Sequence, residues 1–287
     1  MMLTQGMWIG TRNHEQFVPY PQKNADITKP GWGTKATNLR GGANIRRSKA
    51  RHGEYSLVFE PTLRENLRFI TDLYDGVYDT QDGVNPIYML YPFDMDTNVL
   101  TAAWGTLAMG REDGMPLVFD YKPELVATPA NTLGYPARSA QYTVAPGAVL
   151  ETHYVPIPPG YRAWVGVHGE TDAAGLVKVT PYSGVSPATA VLPSVLSVTT
   201  TTRVNTSFSS TLYTGIELSL VAGEAGQLTS LIVQVLKEGV TPELGGFIGG
   251  QGHNGCDFEG APNVTAYNAK MDIVGMTAKL TEIGPWL

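Results

Sequence analysis

Residues 136–244 limit what this chain can fold into more than any other stretch. They break into short runs: ARSAQYTV, LETHYVPI, YRAWVGVHGE, GLVKVTPYSG, SVLSVTTTTRV, TGIELSLVAG and TSLIVQVLKEG. Gly, Pro, Asn and Ser separate them at steps of about 10–15 residues. Each run is rich in residues that suit a pleated surface, including the TTTT tract of Thr199 to Thr202. No helix is needed anywhere in the stretch. This is the signature of a β-sandwich or jelly roll.

The flanking regions have a different texture. MWIGTRNHEQFVPY reads as an opening strand or hairpin. Residues 21–53, rich in Gly, Pro, Asn, Lys and Arg, read as a long loop with one strand at most. EYSLVFE alternates, with Tyr55, Leu57 and Phe59 on one face of a half-buried strand. In PTLRENLRFITDLYDGVYD, the residues Leu63, Leu67, Ile70, Leu73, Tyr74 and Val77 recur at helical steps. Thr62 and Glu65 have the spacing of a capping box, and Asp75-Gly76 is a stop. NPIYMLYPF, NVLTAAWGTLAM and MPLVFDYKPELVATP are β-like. The closing NAKMDIVGMTAKLTEIGPWL alternates as one long strand, buried in part on both faces. The expected class is mainly β with one flanking helix.

At 287 residues the chain is long enough for two domains. Charged residues make up only 16%, against about 25% in ordinary globular chains. That deficit suits a protein with extensive contact surface. A net charge of −6 gives no general pull toward nucleic acid or an anionic membrane. A single Cys cannot form an intrachain disulfide. The N-terminal residues lack a signal-peptide pattern, and no apolar run approaches the roughly 18 residues of a membrane span. These features lead us to expect a soluble chain made in a cytoplasm, without membrane insertion.

Four constellations are candidates for chemistry. GGFIGGQGHNGCDFEGAPNV, residues 245–264, holds the only Cys, with His253 before it and Asp257 and Glu259 after. Cys256 with His253 would make a nucleophile and base, and the four together a crowded metal site lacking the usual C-x₂-C partner. The simpler reading is a bend made possible by Gly249, Gly250, Gly252 and Gly255, with Cys256 a small buried group. DTQDG (residues 79–83) and FDMD (93–96) do not match a calcium-loop pattern and suit turns and strand ends. Lys35, Arg40, Arg46, Arg47, Lys49 and Arg51 form a basic run with no acid until Glu54. It suits phosphate tracking, contact with a neighbouring subunit, or a solvated loop; interleaved aromatics for stacking are missing. Finally Tyr154, Tyr161, Trp164 and Tyr182 look exposed on the sandwich. Trp164 shares the polar face of its strand with Arg162, Gly166 and His168, which suits a sugar platform or a subunit contact. No carboxylate pair marks a glycosidase.

The segments ARHGEYSLVFEPTLRENLRFITDLYDGVYD, NPIYMLYPFDMDTNVLTAAWG and GGQGHNGCDFEGAPNVTAYN, with the closing VGMTAKLTEIGPWL, resemble minor tail proteins of long-tailed actinobacteriophages. More broadly, they resemble the distal tail protein that caps such tail tubes. The resemblance covers residues 1–135 and 245–287. It implies a tail-tube-like split β-barrel or sandwich core over those residues, with 136–244 as an inserted jelly roll similar to a carbohydrate-binding module. It further implies a ring, expected to be hexameric, at the tail tip of a virion assembled in the host cytoplasm. The partners would be other copies of the chain, the tube, tape measure and hub or adhesin proteins, with DNA only as passing cargo. The basic run would contact the acids Glu65, Asp72, Asp75 and Asp79 of a neighbouring subunit. An adhesin binding a cell-surface glycan through Tyr161, Trp164 and Tyr182 is the alternative. A cell-wall hydrolase is the third reading, with no motif in its favour. No cofactor or metal is expected, and no enzymatic activity.

Overall fold

The first strand is buried on both faces, and that fact organises the molecule. The computed structural model describes residues 6–12, 14–19, 21, 27–28, 33–37, 43–47, 53–78, 86–91, 95–101, 104, 125–130, 139–147, 152–168, 173–183, 194–198, 204–228, 230–242, 252–253 and 255–283. In chain order, β1 (Gly6–Gly10) and β2 (Glu15–Pro19) form a hairpin, β3 (Ile27–Thr28) is short, and β4 (Gly33–Thr37) pairs with β5 (Ala43–Arg47). Next, β6 (Glu54–Leu63) runs into α1 (Arg64–Tyr74), and β7 (Tyr88–Leu90) follows. The middle strands are β8 (Leu125–Ala130), β9 (Ser139–Val144), β10 (His153–Pro156), β11 (Tyr161–His168) and β12 (Ala173–Ser183). They continue as β13 (Ser194–Val198), β14 (Val204–Ser209), β15 (Tyr213–Leu220), β16 (Ala225–Leu228) and β17 (Ser230–Lys237). The chain closes with β18 (Cys256–Phe258), β19 (Asn263–Asn268) and β20 (Ile273–Glu282).

The protein is mainly β, its sheets are antiparallel, and among the described residues none closes into a barrel. The sheets β10-β15-β12-β13 and β14-β11-β17 face each other as a β-sandwich, with β16-β9-β8 a separate sheet. Val155, Val177, Val179, Ile216 and Leu218 of one sheet meet Ala163, Val165, Val167, Val233 and Val235 of the other. Residues far earlier in the chain (Leu90, Met95, Val99, Leu100 and Trp104) complete this core. A second core lies between the sheet β2-β1-β7 and the sheet formed by β18, β19, β20, β6 and β3. Leu67, Phe69, Ile70 and Leu73 of α1 pack into it. Met7 and Ile9 face this second core, whereas Trp8, paired with Leu90, packs with it against the sandwich. The strand alternation thus gives each core one face of the same sheet.

Two local expectations are corrected. The 21–53 region contains β3, β4 and β5 rather than one strand at most; backbone pairing needs no apolar alternation, so polar strands leave little pattern. The capping box does not form. Pairing of Thr62 with Val274 and Leu63 with Ile273 keeps the chain extended past Thr62, and Leu63 becomes the N-cap without a side-chain cap. The Arg64 amide instead donates to the Asp272 carbonyl (3.0 Å), while Thr62 accepts from Asn66 (2.9 Å). The helix stops where expected, with Gly76 at φ 71° just beyond the Asp75 C-cap. Of NVLTAAWGTLAM, expected to be β-like, residues 98–101 and 104 are described, and Thr101 forms a parallel bridge with Gly252; the rest lies outside the described residues.

The described part of that segment forms a clasp. Val99 N–H donates to Val233 O (2.9 Å), and the fully buried Asn98 acts as a surrogate backbone. Its Oδ1 accepts from Val233 N (3.1 Å) and Leu100 N (3.3 Å), and its Nδ2 donates to Leu231 O (3.3 Å). Gln234 reaches back to the Asp96 carbonyl (2.6 Å). On the other side, Gly252 N–H donates to Leu100 O (2.9 Å), and a Cβ at 252 would sit 1.8 Å from the Val99 carbonyl oxygen. Only glycine allows that approach. The clasp joins the sandwich to the chain's return toward β18. Asn98→Ala leaves several buried backbone groups unpaired, so chemical denaturation should show a loss of about 3 kcal/mol.

Candidate functional site

The sandwich has two outward faces, and they differ. On the β10-β15-β12 face, Tyr154, Glu217 and Tyr182 lie side by side under Arg12, which arrives from the β1–β2 turn. The guanidinium sits 4.7 Å from the Tyr154 ring centre and 5.4 Å from that of Tyr182. Its Nη2 donates to Glu217 Oε2 (3.1 Å), which also accepts from the Tyr182 hydroxyl (3.3 Å). Burial alone would lower the Arg12 pKa; the neighbouring Tyr88 and Glu217 more than offset this, and the net direction is upward. Arg12 therefore remains charged and ties the opening hairpin to the sandwich. Beneath it, both Glu15 carboxylate oxygens are shut from solvent without a partner among the described residues. Burial raises the Glu15 pKa well above the usual carboxylate range.

Along β14 the outward side chains of the β14-β11-β17 face are part-exposed. Arg162 and Trp164 of β11 stand there beside Ser209 and Ser207 of β14. The Arg162 guanidinium lies 5.8 Å from the Trp164 ring centre. Its Nε donates to Glu238 Oε2 (3.0 Å) and its Nη1 to Ser207 Oγ (3.2 Å). Ser209 donates to the other Glu238 oxygen. These hydrogen bonds, from Ser209 first and then Arg162, lower the Glu238 pKa. The Trp164 indole N–H has no partner among the described residues. Toward β17 the face is covered, with Ile232, Gln234 and Leu236 buried.

The aromatic residues singled out from sequence do not form one platform. Tyr154, expected to be exposed, is buried, because β10 turns it beneath Arg12. Tyr161 lies on the core side of β11, its ring 5.9 Å from that of Trp8. Tyr182 belongs to the opposite sheet, and Trp164 alone is on the β14 side. Of the basic run, Lys35 lies on β4 opposite Ile45, and Arg46 and Arg47 lie on β5 opposite Thr34 and Gly33; Arg40, Lys49 and Arg51 lie outside the described residues. Among the helix acids, Glu65 and Asp75 are exposed, Asp72 pairs with Arg68 (3.6 Å), and Asp79 is outside the described residues.

The glycine-rich stretch carries a polar contact that sequence reasoning missed. His253 meets Tyr55: its Nδ1 lies 2.8 Å from the Tyr55 hydroxyl. That hydroxyl donates to Glu282 Oε1 (2.6 Å), so its single proton is taken, and the imidazole Nδ1–H donates to the Tyr55 oxygen. The second Glu282 oxygen accepts from Gly53 N–H (2.9 Å). A signal existed: Glu282 continues the inward series Ala278, Leu280, so an acid was due on the core face. Cys256 is fully buried, and burial, then Glu282 and Asp257, push its thiol pKa well up. A protonated thiol is a poor nucleophile. Among the described residues no group of three His, Cys, Asp or Glu side chains is placed to hold a metal ion.

No protein-family model matches the chain, and no curated protein matches it. Similar solved structures include a CBM4 structure, 14% identical over 41% of this chain and 82% of that one, with a TM-score of 0.24. A carbohydrate-binding module of the β-sandwich superfamily is 9% identical over 82% of this chain and 93% of that one (TM-score 0.23). The VP2 subviral particle of infectious bursal disease virus is 14% identical over 97% of this chain and 76% of that one (TM-score 0.22). At these TM-scores the likenesses carry no argument about this chain.

Two buried groups predict opposite responses to pH. His153 packs in the sandwich with its ring hydrogen-bonded to the Val99 backbone, and burial lowers its pKa from 6.5 to about 4. The unfolded chain takes up that proton first, so stability falls as pH drops through this window, by about 3 kcal/mol in total. Denaturation curves at pH 7 and pH 4 should show this loss, and His153→Leu should lack it. Glu15, with its raised pKa, costs stability as pH rises above the ordinary carboxylate range. Glu15→Gln should therefore raise the melting temperature at pH 8, with the gain fading toward pH 4.

Proposed function

We propose that this chain is a structural virion protein, placed at the tip of a long phage tail, that assembles with copies of itself into a ring. The observation that carries this reading is the exposed edge formed by β19. All six of its residues are exposed, one side pairs with β20, and Val264, Tyr267 and the adjoining Met271 present apolar surface. Free-standing proteins blunt such edges with charges, prolines or bulges; β19 has the register shift between Ala266 and Asn268 but no charged residue or proline within it. The low charge content fits the same use. A ring needs two different faces that match; the β4–β5 hairpin, with Lys35, Arg46 and Arg47, supplies a basic one, and Glu65 and Asp75 an acidic one. The tube, tape measure and hub proteins would be its neighbours, and DNA would pass through. A glycan-binding role for the sandwich is compatible with this in the same chain, favoured by the part-exposed Trp164 beside Arg162 and Glu238.

Light scattering of the purified chain should give a mass several times that of one copy, with a closed ring in electron micrographs. Arg46→Glu with Arg47→Glu should shift the mass to that of a single copy without lowering the melting temperature. A wild-type chain that stays monomeric and also fails to join purified tail tubes overturns the reading.

A further inference from the structure

We propose that the corner of the sandwich built by Trp164, Arg162, Glu238 and the β14 serines binds a neutral, polyhydroxylated sugar chain. This stands whether or not the chain assembles into a ring. The indole is the first reason. The sandwich core is filled from both sheets without it, and Trp164 lies part-exposed on the outward face, with its Nε1 atom buried. An aromatic ring beside the polar groups of Arg162, Glu238 and the β14 serines suits a sugar, whose C–H face stacks on the ring while its hydroxyls pair with those groups.

The polar groups beside it are the second reason. Surface arginines and glutamates ordinarily move freely, but here Arg162 is held by both Glu238 and Ser207, and Glu238 by both Arg162 and Ser209. Their ordering is already complete before any ligand arrives, which lowers the entropy cost of binding. Three turns meet at this corner and are tied together: Glu238 N–H donates to Gly160 O (3.0 Å), and Gly160 N–H to Ser210 Oγ (3.0 Å). The support is therefore firm.

Charge decides the class of sugar. Arg162 is matched by Glu238 at 3.0 Å, leaving no net charge to draw a uronate or a phosphate. The remaining lone pairs of Glu238 and the free N–H groups of Arg162 suit neutral hydroxyls, which accept and donate in turn. Tyr161 and Tyr182 take no part, since one is packed on Trp8 and the other is held by Arg12.

The test is affinity electrophoresis of the full chain through gels holding a soluble β-glucan, a galactomannan, an arabinogalactan or polygalacturonate. At least one neutral polymer should retard the protein. Trp164→Ala should weaken that binding by about tenfold or more, Trp164→Phe by less, and Tyr182→Phe not at all, each variant keeping the wild-type melting temperature to within a few degrees. If no neutral polymer retards the protein, if Trp164→Ala or Trp164→Phe binds as wild type does, or if polygalacturonate binds best, the proposal fails.

Discussion

The structure depends on one small sheet, β2-β1-β7, being shared between two cores. Met7 and Ile9 point into the core closed by α1 and β20, and Trp8 points the other way, toward the sandwich. Strand geometry enforces this, because successive side chains must leave opposite faces. Each large apolar side chain buried this way contributes about 1.5–3 kcal/mol, so pulling the two cores apart would expose Trp8, Leu90 and Tyr161 together. The segment from Leu90 to Trp104 strengthens the dependence, since it lines the sandwich while preceding it in sequence.

Polar contacts then fix how the parts meet. Arg12 with Glu217 orients the opening hairpin on one sheet, Asn98 stitches the clasp to β17, and Tyr55 with Glu282 and His253 seats the glycine-rich return against β6 and β20. None is an exposed ion pair, which would contribute little. Buried polar groups of this kind cost desolvation, and their value lies in accepting only one geometry. Apolar surfaces alone would allow the two cores to slide; a guanidinium over two rings, or an amide bonded to a strand edge, would not.

How much of this was legible depended on whether the signal was local. The sandwich strands β9 to β12, β15 and β17 announce themselves by alternation and turn residues, as do α1 and β20 by their periods. What escaped was set by distant partners. Asn98 opens a stretch that reads as β-like, and its side chain stands in for a strand's backbone because Val233 lies beside it. Thr62 has the spacing of a cap and fails to be one because Val274 holds its backbone extended. β4 and β5 are polar enough to leave no period. For the candidate site, sequence placed Trp164 on the polar face of its strand, and that placement stands. The same alternation already sets Tyr161 on the core face with Ala163 and Val165, but it could not separate Trp164 from Tyr182, because which sheet a strand joins is decided by long-range pairing.

The doubly buried first strand also changes how the molecule would respond to mechanical force. A sandwich hung from a flexible connection could swing and stretch before any strain reached the rest of the chain. Here β1 is hydrogen-bonded to β2 on one side and β7 on the other, with a core against each face. A tug on anything gripped by the sandwich would therefore pass straight through β1 and β7 into the helical core, with little slack to absorb it.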